Sequence, residues 1–555
     1  MDAPKSKDDY PPDAITPQYT AEEGTVAAVL NASGHAQELE RNFSLWSAAS
    51  VGICTGNTWV ALGGSIVISL YNGGPPGVIY ELFAAWFFYS LLAACIAELV
   101  SAIPSSAGEY PPVALTLRED RTHTPSPLVY HWASVTPGRK YGRVVGYFAG
   151  WWNAFAYVFG AASMSAITAN LILGMYGLFH PEYVWQRWHT FVTYLIATWC
   201  CCAAVLFANR ALPLVNQIGL FLIVAGCFVT VLVCAIMPGT TGNGYASNAF
   251  VWRDFLNQTG YSSDGFAFLA GMLNASYAVG VPDCVAHLAE EIPKPRTNVP
   301  KAIAMQQLVG LFTAFVYLIA IFYSIQDFDA LLANTYTVPL AELYLQATSS
   351  RAGALGLLII VLLPTICTLI GIYITAGRML WTLAREGATP FPGILGRISP
   401  RYKNPFNATV ACALIVTAMG AIYVGSTTAF NAFVGSFVVL LTLSFLAAIL
   451  PHLLTRRRNV VPGPFWMPDW VAYTVGSIGC AYICVFVVIY NFPYAIPFDA
   501  ASMNYSCLIT GGLTIFMGAW WFWIRKRGYI GPRPLVEEEA TMHAGHRVKI
   551  SNDEV

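Results

Sequence analysis

Twelve stretches of this chain stay apolar for long enough to cross a lipid bilayer, and that recurrence excludes almost every soluble fold. A spanning helix needs roughly 17–25 residues. Stretches of that order lie near 44–71, 77–102, 144–175, 189–208, 213–237, 264–288, 302–325, 353–381, 407–425, 428–451, 469–492 and 505–524. Their apolar residues come in blocks rather than alternating, which favours helices over barrel strands. Only 11% of the 555 residues are charged, where a soluble domain carries about 25%, and mean hydropathy is +0.55. The expected fold is an all-α polytopic membrane protein with 12 transmembrane helices. Stretches 407–425 and 428–451 are close enough to form a tight helical hairpin.

Charge placement orients the chain. Of the 29 lysines and arginines, only Arg187, Arg253 and Arg351 fall in the loops of one side. Lysine and arginine collect on the cytoplasmic side, so both termini are expected there, in a multi-pass protein of the plasma membrane. Residues 1–43 are polar, carry Pro11, Pro12 and Pro17, and read as a disordered cytoplasmic tail rather than a cleaved signal peptide. The membrane domain is expected over 44–525 and a second cytoplasmic tail over 526–555. The sequon Asn257-Gln258-Thr259 falls outside, which makes Asn257 a glycosylation acceptor. The 13 cysteines have no metal-type spacing and read as packing residues.

Two stretches interrupt the helical pattern. Gly271–Glu291 begins as membrane helix, then meets Asn274, Ser276, Gly280 and Pro282. Glycine weakens a helix and proline cannot donate to it, so a substrate-facing break is expected over Asn274–Gly280. The first stretch carries Gly52, Thr55, Gly56, Asn57 and Thr58 in mid-membrane. Opened backbone at that depth is tolerated only inside protein or beside a cavity. Interrupted helices at matching positions, five helices apart, point to a 5+5 inverted repeat with a solute site between the halves. The repeats would cover about 44–237 and 264–451, with helices 469–524 added outside.

Longer motifs carry a family resemblance. Segment 2 ends AELVSAIPSSAG, VYHWASVTPGRKYGRVVGYFAGWWN follows, segment 6 ends HLAEEIPKPRTNVPKAI, and AGRMLWTLAREGATPFPGILGRISPRYKNP follows segment 8. Together these resemble the amino acid/polyamine/organocation superfamily over roughly residues 40–530, in its fungal amino acid–choline transporter branch. With NGGPPGVIYE they look closest to choline permeases. The resemblance implies a secondary transporter working by alternating access, with protons as the coupling ion and choline or a similar organic cation as substrate. Amino acids, γ-aminobutyrate and a fungal secondary metabolite or its precursor stay open. One departure is the polar, proline-rich insert 109–128 on the cytoplasmic side. It reads either as a disordered loop or as non-coding sequence kept in the chain.

An ionisable group inside a membrane costs about 2.5–3.5 kcal/mol at helix centre, so each asks for a role. Glu98 lies near the cytoplasmic end of segment 2, within reach of water. Asp283 and His287 lie one helical turn apart. With Glu290 and Glu291 they match a pattern the superfamily shares, so Glu98, Asp283, His287, Glu290 and Glu291 are read as gating residues; Asp283 is also a candidate counter-ion. Quaternary ammonium groups are held by aromatic faces, each contributing about 0.5–2 kcal/mol. The substrate candidates are therefore Trp59, Tyr277, Trp152 and Tyr373, with Asn153, Asn274 and Gly280. An amino acid would instead place its carboxylate on backbone amides around Gly52, Thr55, Gly56 and Asn57. Thr365, Thr368 and Thr375 are candidate ion ligands, though such hydroxyls also bond their own helix.

No P-loop, HExxH or strand-borne GxGxxG is present. No enzymatic activity, cofactor, metal, nucleic-acid partner or obligate protein partner is expected. A channel or receptor is the rival from another class.

Overall fold

The computed structural model describes residues 44–103, 128–333, 338–425, 428–500, 502–529 and 531, and every regular element among them is helical. The first broken segment comprises α1 (Leu45–Gly56) and α2 (Thr58–Gly64); α3 (Val67–Ala102) follows, kinked at Gly73 and Gly74. A short α4 (Leu128–Val135) precedes α5 (Gly142–Phe179), α6 (Arg187–Phe207), α7 (Leu212–Thr241) and the small α8 (Asn248–Trp252). The second broken segment is α9 (Asp264–Val279), an irregular stretch, and a 3₁₀ turn at Ala286–Glu291. Beyond it come α10 (Pro295–Tyr323), α11 (Phe328–Leu332), α12 (Pro339–Thr348), α13 (Arg351–Arg385) and α14 (Pro392–Leu395). The chain continues through α15 (Phe406–Gly425), α16 (Ala429–Leu454), α17 (Asp469–Ile489) and α18 (Ser506–Lys526).

Ten helices among the described residues are long and apolar enough to cross a membrane: α3, α5, α6, α7, α10, α13, α15, α16, α17 and α18. The insert 109–128 and both tails lie outside the described residues, apart from Leu128, Lys526–Tyr529 and Gly531. Side-chain caps set several helix starts. Ser44, Ser263 and Ser350 accept from Ser47, Phe266 and Gly353 amides, each cap worth about 0.5–2 kcal/mol.

The helices are unequal in burial. The apolar window of α5 is 83% buried, packed between α13 and α16, whereas that of α18 is 17% buried. Phe221, Phe228, Phe312, Leu508 and Ile515 all turn outward. A surface that apolar is stable against lipid rather than water, so the chain is a multi-pass membrane protein with α5 at its centre.

One boundary corrects the expectation. The second segment stays helical through Asn274 and Tyr277 to Val279, so its break starts at Gly280. Asn274 and Ser276 do not loosen their own helix because their side chains bond outward. Asn274 Nδ2 donates to Ser69 (3.0 Å), and the Ser276 hydroxyl meets Tyr482 (3.0 Å) and Tyr490 (2.6 Å). The helix yields only where Gly280 and Pro282 arrive together.

Candidate functional site

At the first break Asn57 takes φ 31°, ψ 55°, a left-handed conformation that asparagine tolerates better than most residues. Its amide donates to the Ile53 carbonyl (2.7 Å) and its Nδ2 to Thr368 Oγ1 (2.9 Å). Thr368 donates in turn to the Cys54 carbonyl (2.7 Å), so α13 pins the opening. Thr365 and Thr375 bond back to Val361 and Gly371 of their own helix. The glycines serve close approach here. A Cβ on Gly56 would lie 2.9 Å from Gln306 Nε2, and one on Gly52 would lie 2.7 Å from Val285. Gln306 also donates to the Val281 carbonyl in the second break (2.9 Å). One α10 side chain thus meets both openings and satisfies backbone that a continuous helix would have paired.

Asp283 lies inside the second break and is fully buried. Its carboxyl accepts from Asn153 Nδ2 (2.9 Å), the Tyr157 hydroxyl (2.8 Å) and His287 Nε2 (3.0 Å). Asn153 donates as well to Ser444 of α16 (3.2 Å). Asp283 and His287 therefore meet, but across an irregular turn leading into a 3₁₀ turn rather than along an α-helix. Asn153, read as facing substrate, and Asp283, read as part of a gate beyond the break, are in direct contact.

Aromatic rings close the cluster. Tyr157 sits edge-on to His287 (5.5 Å between centroids) and Phe437 (6.4 Å), and Tyr277 sits edge-on to Phe437 (5.4 Å). The Tyr277 hydroxyl pairs with Ser163 (2.7 Å), and a Cβ on Gly280 would lie 3.6 Å from Phe437. Asn57 Oδ1, Thr55 Oγ1, Asn153 Oδ1 and His287 Nδ1 are buried at the two breaks without a protein hydrogen-bond partner. Chemically, the arrangement brings together an acidic group, three buried aromatic rings and spare polar atoms.

The remaining aromatic candidates point elsewhere. Trp59 packs on Tyr317 of α10 (5.0 Å between centroids) and against Gly226 of α7. Trp152 donates Nε1 to Thr514 of α18 (3.1 Å). Successive helical residues diverge by about 100°, so with Asn153 turned inward its neighbour faces the periphery. Tyr373 lies among Tyr194, Thr198 and Cys202 of α6. Asn274 holds the corner between α2 and α3 through Ser65 and Ser69.

Glu98 is corrected as well. It is buried rather than reached by water, held by Arg457 (2.9 Å), the Met467 amide (3.0 Å) and His452 (3.4 Å). Arg457 also pairs with Asp469 (2.6 Å), which clamps α3 to the connection between α16 and α17. The side chains of Glu290 and Glu291 lie outside the described residues. Asn257 is half-buried, its Nδ2 donating to the Tyr261 carbonyl (2.9 Å) and Asp264 (3.0 Å).

Tyr157, Phe437, Gln306 and Ser444 were missed by sequence reasoning. Tyr157 had a signal, since it follows Asn153 by four residues and so shares its face. Phe437 and Ser444 reach the site from the distant α16, and Gln306 from α10, the helix after the second break.

Comparison with known proteins identifies the family. A family profile described as amino acid permease matches residues 43–513. A choline transporter of Saccharomyces cerevisiae is 29% identical over 501 residues, covering 88% of this chain and 83% of its own length. The 7-keto 8-aminopelargonic acid transporter of the same yeast is 26% identical, covering 85% of this chain and 90% of the other. A transmembrane transporter of Metarhizium robertsii is 25% identical, covering 89% of this chain and 93% of its own.

Proposed function

Because the chain belongs to the amino acid permease family, we propose that it is a secondary transporter carrying choline or a similar small organic cation. In this reading the ten long helices and the two broken segments make twelve spans, arranged as a 5+5 inverted repeat plus α17 and α18. The solute is handled by alternating access between the breaks, with both termini cytoplasmic, the plasma membrane as residence and protons as coupling ion. Asn257, in the outward loop, is the proposed glycan acceptor.

The observation that carries the cation reading is the buried contact of Asp283 with Tyr157, whose ring adjoins Phe437 and, through it, Tyr277. A quaternary ammonium makes no hydrogen bonds and is held by ring faces, about 0.5–2 kcal/mol each. An acidic group beside those rings complements its charge. The similarity to a yeast choline transporter supports the same choice. Glu98, bound to Arg457 away from this cluster, fits a gate clamp better than a substrate contact.

An amino acid is the second reading. It is favoured by the first turn of α2, whose opening amides lack partners within the helix and suit a carboxylate. Radiolabelled uptake in a permease-deficient yeast separates the two. Saturable choline uptake is expected. Uptake of γ-aminobutyrate, with choline neither carried nor competing, refutes the cation reading.

A further inference from the structure

Glu81 is a second buried acid, and the cluster at the breaks does not use it. It lies on α3 with 1% of its surface exposed, while its neighbours Tyr80 and Phe83 face outward. Neither carboxyl oxygen has a hydrogen-bond partner in the protein. Across from it, a Cβ on Gly271 of α9 would fall 2.0 Å from Glu81 Oε1, so only glycine lets the two helices pack this closely. Phe255, in the loop before α9, covers Gly73 and Gly77 on the same face of α3.

The charged and titratable groups of the elements packed there are engaged or exposed elsewhere: beside Phe255, Arg253 and Asp254 are exposed. On α9, Asp264 is held by Asn257; on α10, Tyr317 faces Tyr344; on α17, Tyr482 faces Ser276. On α3 itself, Tyr80 bonds the Trp252 carbonyl and Glu98 pairs with Arg457. A metal cation would need several oxygen ligands, and among the described residues no three acidic, histidine or cysteine side chains are placed to hold a metal ion.

We propose that Glu81 is a proton-binding site that links protonation to the movement of α9 against α3. A carboxylate sealed without a partner costs far more than the neutral acid, so the packed arrangement requires the proton. Separation of the two helices admits water, and the carboxylic acid then releases its proton to that water and becomes a carboxylate. A ligand that binds the packed state better shifts the population toward it. External acid therefore closes this half of the molecule and alkali opens it. Gly280 lies nine residues beyond Gly271, about 13 Å along the helix axis, so a tilt of α9 that parts it from Glu81 also moves the second break. The coupling consequence rests on the transporter reading; the proton site does not.

Infrared absorption of the purified full-length chain at neutral pH tests the proton site without any substrate. Wild type is expected to show a protonated-carboxyl stretch that is missing from Glu81→Gln and shifted in Glu81→Asp. Identical spectra for wild type and Glu81→Gln overturn the proposal. If Glu81→Gln does not fold, an unshifted band in Glu81→Asp overturns it instead. Labelled choline uptake under an inward proton gradient then tests the coupling. Glu81→Gln is expected to lose stimulation by external acid while still exchanging labelled for unlabelled choline, and an unaltered pH profile overturns the link. A wild-type protein that does not carry choline at all counts against the substrate reading alone, because the infrared result is decided separately.

Discussion

Asp283 and Glu81 are both acids sealed inside the helix bundle, and they are held in opposite ways. Asp283 accepts from three side chains, two of them on α5. Glu81 has none. The local backbone explains the contrast. Asp283 sits where the helix has opened, so its own segment can fold back and bring His287 to it. Glu81 sits on regular helix facing a glycine, and a glycine offers no side chain. A carboxyl with a full set of donors is a fixed part of the architecture or of a ligand site. One without donors suits a ligand as small as a proton.

The largest expected effect separates the two acids directly. Asp283→Leu leaves Tyr157 and His287 without this acceptor and Asn153 with Ser444 alone, and should abolish uptake and cost about 3–5 kcal/mol of stability. Glu81→Leu should be neutral or stabilising, because it replaces an unpartnered acid with apolar surface. Thermal unfolding of both variants in detergent checks this, and equal losses would erase the contrast. Next, Tyr157→Phe removes one donor from Asp283 and should cost about 1.5–3 kcal/mol, read as a lower unfolding midpoint with the fold intact. Gly271→Ala forces a methyl onto Glu81 and should cost about 1–3 kcal/mol. Combining it with Glu81→Ala should recover part of that loss, because Asn72 Cβ would still lie 2.7 Å from the new methyl, and strict additivity of the two changes would show that they do not touch.

The smallest effect concerns a buried base. His131, on the short α4, has no partner for Nδ1, and burial pushes its ring down to about 4. The unfolded chain takes up the same proton at about 6.5. Stability from this residue is therefore complete above about 6.5 and declines as pH falls toward 4. His131→Gln should flatten that part of the stability profile and change nothing at pH 8.

Much of the fold was legible because the bilayer imposes long uncharged stretches, and the two interruptions were legible because glycine, proline and polar residues coincide there. The direction of each side chain was not. A helix that is apolar all round carries no amphipathic stripe, so Trp152 and Asn153 looked equally suited to the site until packing sent one to α18 and the other to Asp283. Asn57 rather than a glycine takes the left-handed turn, since asparagine tolerates it and Gly52 and Gly56 are needed against Gln306 and Val285. Phe437 comes from a helix far along the chain, and Gln306 from the helix after the second break reaches back to the first, with no local pattern to mark either. Glu81 lay in plain view within NGGPPGVIYE, but only the approach of Gly271 shows that it is sealed.

The claim on which the rest turns is that Asp283 and its three rings hold an organic cation. Equilibrium binding of labelled choline to the purified protein, wild type against Phe437→Ala and Tyr277→Ala, tests it most directly. Loss of one ring face should weaken binding by roughly 2- to 30-fold, corresponding to about 0.5–2 kcal/mol. Wild-type affinity in both variants would contradict the account.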